Sequence, residues 1–446
     1  MNENKPAYKY ASVRMDLPGP ESRRMIEEWK RHEADKTGFQ APVAIEHGHG
    51  AMLYDVDGNS FLDWTSGVLV TNVGHCHPKL VEAVKAASEK MLNVYEYCNA
   101  FRANAARDLV QAAPGFLDSC FFLSSGSEAV DSAVRIMKRA TGKFEIVCFY
   151  GGFHGRTMSA ASFGGMAKPK KGYGPATPGA IRVPFPYCYR CPFHSCIGKC
   201  GFMCLEFIDD AIRANSADSL AGMIVEPYLG TAGFIFAPDG YMKQLEGLAR
   251  DKGMLFALDE VQSCCGRTGT MWALEHDGLE PDIVALGKGL GSGVTVSALL
   301  MRGGLADSAL GKGEMGSTYG GNPVACAAVS AVLDIIKSED ILGNVRRISA
   351  IFRQRLPALL ELSKHVGDIR GRGLVWGIEL VEDKLTKAPA PEYAKKLVES
   401  CAANGLLTGI VGIYGNVIRV APPLVINEGQ AHESMDIMES VLATAI

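Results

Sequence analysis

Two apolar runs in the middle of the chain end in residues that could do chemistry together. Met254 to Leu258 leads into Asp259-Glu260-Val261-Gln262, and Ile283 to Leu286 leads into Gly287-Lys288-Gly289. In an open parallel sheet, ligands sit beyond the carboxyl ends of the strands, so this pattern presents a carboxylate and a lysine at one edge. A partly desolvated lysine amine can form an imine with an aldehyde cofactor, and flanking glycines leave room around its stem. A carboxylate beside a ring nitrogen keeps that nitrogen protonated and makes the ring a better electron sink. Taken singly, each residue has an ordinary reading too: a solvated loop lysine, and an aspartate that caps a helix.

Two further strand ends belong with these. After Cys120 to Leu123 comes Ser124-Ser125-Gly126-Ser127-Glu128, which opens a helix with Val130, Ala133, Val134 and Met137 on one face. Free N–H groups and the positive end of the helix dipole suit a phosphate there, although a plain capped turn has the same composition. After Ile146 to Phe149 comes Tyr150-Gly151-Gly152-Phe153-His154-Gly155-Arg156. Phe153, with glycines on either side, could lie flat on an aromatic ring, and otherwise it is a core phenylalanine.

The elements that must position these groups are short apolar runs alternating with helical periods, continuing through Met223 to Val225 and Ser297 to Met301. Runs without polar alternation suit strands buried on both faces, which predicts an α/β domain on a mostly parallel sheet. A hairpin is expected at Ala51 to Asp55 and Phe61 to Trp64, and helices at Val324 to Lys337 and Val345 to Leu362. The expected division is an N-terminal segment of helix and hairpin over 1–65, a large domain over 66–325 and a small α+β lobe over 326–446. With 446 residues, 47% hydrophobic and 21% charged, the composition is that of a globular protein with several lobes. A net charge of -4 with intermixed signs offers no basic face for nucleic acid and no polybasic segment for a membrane, so a small-molecule partner is expected. No signal segment and no membrane-length apolar run is expected, and the thirteen cysteines, several inside apolar strands, fit a reducing, cytoplasmic setting.

In this order the motifs resemble the class III (ω-amino acid type) aminotransferases of pyridoxal-phosphate fold type I, with marked similarity to the 4-aminobutyrate aminotransferase and dialkylglycine decarboxylase branches. The likeness spans Gly74-His75-Cys76-His77-Pro78, Ser125 to Ala129, Phe153-His154-Gly155, Glu226-Pro227, Asp259 to Gln262, Gly287-Lys288-Gly289, Ser317 to Pro323 and Arg419 to Leu424. It implies a large seven-stranded-type sheet domain with a smaller α+β lobe, and pyridoxal 5'-phosphate as cofactor. By the resemblance Lys288 is the imine lysine and general acid/base, Asp259 pairs with the pyridine nitrogen, Phe153 stacks on the ring and Gln262 contacts the ring oxygen. Ser125, Gly126 and Ser127 would hold the phosphate, with His154 and Glu226 also in the cofactor site. Thr318 would reach the phosphate of a neighbouring subunit in a homodimer or tetramer with shared sites, and Arg419 would bind a substrate carboxylate. The implied reaction moves an amino group from an amino acid or ω-amine to pyruvate or 2-oxoglutarate.

Departures from the family pattern qualify the reaction. Thr231 stands where many ω-amino acid aminotransferases have a glutamate and the racemases an aspartate, and a threonine is no proton carrier at neutral pH, which demotes an amino-acid racemase or epimerase. Val68 stands where the decarboxylases have a glutamine, which leaves decarboxylating transamination as the runner-up. Tyr95, Tyr97 and Tyr228 read as an aromatic pocket wall. The insertion 186–205 carries Cys188, Cys191, Cys196, Cys200 and Cys204; it lacks a second Cys-x-x-Cys, so reduced thiols of a surface insertion are preferred to a metal site. His75 and His77 read as turn and capping residues.

Overall fold

The computed structural model describes residues 8–34, 41–194 and 199–444. The chain divides into two compact units, Pro78–Asp340 and Met1–His77 with Ile341–Ile446. The larger unit is built on a seven-stranded sheet in the order Leu117–Leu123, Ser297–Arg302, Ile283–Leu286, Leu255–Asp259, Leu220–Val225, Glu145–Phe149, Ala180–Val183. Ser297–Arg302 runs against both neighbours, and the other six strands share one direction. Glu145–Phe149 and Ile283–Leu286 are buried along their whole length, as runs lacking polar alternation require.

Helix Gly126–Thr141 buries Ala129, Val130, Ala133, Val134 and Met137 in the core with sheet residues, while its polar stripe stays outside. Each of its larger apolar side chains contributes roughly 1.5–3 kcal/mol by leaving water. Close packing has a sequence cause at Gly222, where a Cβ would lie 2.4 Å from Met137 Sδ. The helix ends at Gly142, whose φ of 68° suits glycine.

Several elements differ from the sequence expectation. Ala180–Val183 forms an edge strand that the apolar-run criterion missed, because Arg182 breaks the run. The expected helix 345–362 is two helices, Ile341–Arg355 and Leu359–Leu362, joined by a tighter turn at Leu356–Ala358, where Pro357 has no N–H to continue the ladder. The unit boundary falls at 340, not 325, because helix Pro323–Ser338 packs on Pro78–Ser88 and Ala100–Ala112 inside the larger unit. Likewise the N-terminal part of the smaller unit runs to His77, not 65, since His75 pairs with Gly50 and its ring meets Asp63 at 2.8 Å. No described helix is long and apolar enough to cross a membrane.

The smaller unit holds two four-stranded sheets: Ile45–His49, Met52–Asp55, Ser60–Asp63 and Leu406–Leu407, and Val366–Arg372, Val375–Leu380, Val417–Val420 and Ile410–Val411. Its N-terminal arm is held by one carboxylate. Glu433, on helix Glu428–Ala443, accepts from the backbone N–H groups of Lys9 (2.7 Å), Tyr10 (2.9 Å) and Ala11 (2.8 Å). Hydrogen bonds to a charged group are worth about 1.5–3 kcal/mol each, and part of that is recovered from water when the arm peels away. Glu433→Ala is expected to cost about 2 kcal/mol in urea unfolding and to speed proteolysis within the first dozen residues.

Candidate active site

Five strands that share a direction deliver side chains to one edge. Leu117–Leu123 ends before Ser124 to Ser127, Glu145–Phe149 before Phe153 and His154, Leu220–Val225 before Glu226, Leu255–Asp259 at Asp259, and Ile283–Leu286 before Lys288. There they line one cavity of about 190 Å³, with Gly126, Ser127, Phe153, His154, Gly155, Glu226, Thr231, Asp259, Val261, Gln262 and Lys288 as its walls. Ser125 is not among the lining residues. It is the N-cap of the helix, its Oγ accepting from Glu128 N–H at 3.2 Å, while Glu128 accepts from Ser124 N–H at 2.8 Å. This reciprocal capping leaves Gly126 and Ser127 in the cavity wall at the positive end of a 16-residue helix.

The glycines of the site are there for space. A Cβ at Gly126 would come within 2.7 Å of Val261, and one at Gly155 within 2.2 Å of Ser127 Oγ. Gly155 also has a φ of 134°. Lys288 itself is half-buried at a φ of 42°, a left-handed conformation that ordinary residues rarely adopt. Such strain is found where the surroundings dictate side-chain placement.

Asp259 is buried, and both of its oxygens are engaged: Oδ2 lies 2.7 Å from His154 Nδ1 and Oδ1 accepts from Val261 N–H at 3.0 Å. Burial disfavours the charged imidazole of His154, but the hydrogen bond and charge of Asp259, with Glu226 behind, raise its affinity for a proton. Glu226 is buried and pushed up to about 7, chiefly by burial, with His154 opposing and Asp259 adding to the rise. Its Oε1 accepts from Phe153 N–H at 2.8 Å and its Oε2 from Gly230 N–H at 2.9 Å, so this one carboxylate fixes the Phe153 loop and the turn before Thr231. Gln262 Oε1 is buried with no hydrogen-bond partner, and so is His154 Nε2.

Arg419 and Val68 belong to the smaller unit. Arg419 is almost fully buried, with Nε and Nη1 unpartnered, and burial lowers its guanidinium to about 10 against the opposing pull of Asp63. It therefore keeps its charge at neutral pH. Val68 is exposed and lies in a left-handed run from Ser66 to Leu69 with a φ of 66°, an outlier for a β-branched side chain. Thr318 is exposed and does not line the cavity. Tyr228 is not among the residues lining this cavity; it is buried and stacks on Phe236 with ring centroids 4.7 Å apart. Of the insertion's cysteines, Cys188, Cys191, Cys200 and Cys204 are free thiols, and Cys196 lies outside the described residues. Among the described residues no group of three or more His, Cys, Asp or Glu is placed to hold a metal ion.

Sequence reasoning missed the Asp259–His154 contact and the part played by Val261. Only the order of the strands in the sheet brings residues 154 and 259 together. A further consequence concerns pH. The folded pKa of Glu226, about 7, lies above its ordinary 4.5, so between those values the native state holds a proton that the unfolded chain has released. The contribution of Glu226 to the stability of the cofactor-free protein is thus present at low pH and lost as pH rises through 7. Glu226→Gln is expected to flatten this part of the slope, measured as urea midpoints between pH 5 and pH 7.5.

The class III aminotransferase family matches residues 34–442. A probable 4-aminobutyrate aminotransferase of Bacillus subtilis is 36% identical over 402 residues, covering 89% of this chain and 92% of the relative. An alanine/serine racemase of Pyrococcus horikoshii is 32% identical over 448 residues, covering 97% and 93%. Among solved structures, the ornithine aminotransferase of Toxoplasma gondii, which has partial occupancy of pyridoxal phosphate at its active site, superposes with a TM-score of 0.83 at 28% identity, covering 96% of this chain and 95% of that one. The chain belongs to the class III aminotransferases, a family of pyridoxal-phosphate-dependent enzymes.

Proposed function

We propose that the protein transfers an amino group from an amino acid or ω-amine to a keto acid, with Lys288 as the catalytic acid/base. The observation that carries this reading is the convergence of Lys288, Asp259, Phe153 and the Gly126-Ser127 helix terminus on one cavity. The residues fit the family's cofactor: the orphaned Gln262 Oε1 awaits a hydroxyl, the helix terminus an anion, and Phe153 in the cavity wall offers its face to a flat ring. Lys288 would hold pyridoxal phosphate covalently, Asp259 its ring nitrogen, Gln262 its ring hydroxyl, Phe153 the ring face, and Ser125, Gly126 and Ser127 its phosphate. When bound, the cofactor supplies an aldehyde that captures the donor amine and a ring that takes up electrons from the donor carbon.

The chain's own residues do the rest. Lys288 Nζ accepts the proton lost by the donor carbon and gives it back on the other side of the transfer. His154 and the Val261 N–H keep Asp259 oriented, and Glu226 holds the backbone of Phe153 in place. Arg419, with two guanidinium nitrogens unpartnered, suits a substrate carboxylate. Thr231 lines the cavity but cannot act as a second proton carrier, which weighs against racemisation despite the racemase relative.

A homodimer is part of the reading. Around Thr318, whose carbonyl accepts from Asn93, the large side chains Leu92, Tyr95, Tyr97 and Tyr319 are exposed, as at a surface that a second copy covers. The described cysteines are all free thiols, in keeping with a cytoplasmic setting.

Lys288→Ala is expected to lower amino transfer by at least about 10²–10⁴-fold while cofactor still binds without a covalent link. Near-normal turnover in a coupled assay would refute the assignment, and loss of optical purity in the donor would favour racemisation instead. Gly155→Ala is expected to weaken cofactor binding at least tenfold, about 1.4 kcal/mol, in an absorbance titration, because the new methyl displaces Ser127.

A further inference from the structure

We infer that Asp63 is a positioning residue for the recognition of substrate carboxylates: by holding the turn 65–69 against the strand of Arg419 it aims the guanidinium while leaving it open. The inference rests on the reading of Arg419 as the carboxylate site. All of these residues belong to the smaller unit.

Asp63 ends strand Ser60–Asp63 and is fully buried. A buried carboxylate needs partners for both oxygens. Oδ1 accepts from Thr65 N–H at 2.6 Å, from Thr65 Oγ1 at 2.7 Å and from Ser66 N–H at 3.1 Å, and Oδ2 lies 2.8 Å from His75 Nε2. What these bonds hold is a costly conformation. Ser66, Gly67, Val68 and Leu69 have φ of 43°, 60°, 66° and 61°, and three of the four carry a side chain that disfavours it. Such a run persists only where its surroundings over-determine it.

The same turn is bonded to the Arg419 strand. Ser66 Oγ donates to Ala421 O at 2.8 Å, Ala421 N–H to Trp64 O at 2.9 Å, and Trp64 N–H to Leu407 O at 2.8 Å. Arg419, two residues before Ala421, donates its own N–H to Gly409 O at 2.8 Å, so its backbone is fixed on both sides. None of the Asp63 bonds goes to Arg419, whose Nε and Nη1 remain without a protein partner. An ion pair with Asp63 would fill the fork that a carboxylate ligand needs. Burial lowers the guanidinium's hold on its proton and the charge of Asp63 opposes it, so the aspartate supports a buried cation without occupying it.

The test uses holoenzyme and two aminooxy reagents that consume the bound cofactor's yellow band: aminooxyacetate, which carries a carboxylate, and methoxyamine, which does not. The ratio of their second-order rate constants reads carboxylate recognition apart from the chemistry. Arg419→Gln should lower the ratio roughly tenfold, as loss of a charge-assisted pair does. No loss there would remove the carboxylate reading and the inference with it. Asp63→Ala should lower the ratio about fivefold with the methoxyamine rate unchanged. Asp63→Asn, which keeps an acceptor for the turn, should stay within about twofold of wild type. Ser66→Ala, which removes only the side-chain bond to Ala421, should lower the ratio about threefold, and it decides the matter if Asp63→Ala does not fold. A loss in Arg419→Gln beside wild-type ratios in Asp63→Ala and Ser66→Ala, or equal slowing of both reagents in those two variants, would overturn the positioning role.

Discussion

The register of the parallel strands is the constraint on which the site depends. Asp259 pairs with Ala285 and Leu258 with Val225, so Asp259, Glu226 and the Gly287-Lys288 turn emerge at neighbouring levels of one edge. Val147 pairs with Met223, which brings Phe149 level with Val225 and sends the Phe153-His154 loop out beside Glu226. A slip of one residue in any of these pairs would turn every side chain of that strand to the other face of the sheet. The fully apolar strands and the helix Gly126–Thr141 packed on them hold that register, so the hydrophobic core and the chemistry are fixed by the same contacts.

Once the strand ends are fixed, the site becomes a question of keeping buried charges satisfied. Asp259, Glu226 and Glu260 are all buried at or just after the ends of adjacent strands; backbone N–H groups hold Glu226 and Glu260, while Asp259 divides its oxygens between the Val261 N–H and His154. Glu260 accepts from Ala273 and Leu274 N–H at 2.8 Å each, and burial pushes it up to about 7. Backbone donors cannot be titrated away or rotated out, so these carboxylates anchor loops as much as they set the electrostatics. Lys288 takes its left-handed backbone, φ 42°, at the start of the tight turn Lys288–Leu290 that follows strand Ile283–Leu286.

Much of this is legible in the sequence, for a definite reason. Strands buried on both faces write themselves as unbroken apolar runs, and a parallel sheet puts its ligand at the ends of those runs, which is enough to single out Asp259 and Lys288. The fold class and the aminotransferase family follow from the order of the motifs. Contacts set by strand order are not legible: His154 and Asp259 are far apart in sequence, and nothing local announces their hydrogen bond. Tyr228 reads with Tyr95 and Tyr97 as an aromatic wall, yet it lies buried in a two-residue strand that pairs with Ile235–Phe236. The edge strand Ala180–Val183 escapes because an edge tolerates Arg182, and the unit boundary because helix Pro323–Ser338 is apolar enough to join either unit.

The central claim is that Lys288 serves amino transfer on a bound aldehyde cofactor. It is tested most directly by the absorbance spectrum of the purified enzyme while ω-amino acids, α-amino acids and simple amines are added one at a time without any keto acid. The account predicts a yellow band that bleaches toward the amine form of the cofactor with particular donors and returns when a keto acid follows. No bound chromophore even after pyridoxal phosphate is supplied, or a band that no donor bleaches, would contradict it.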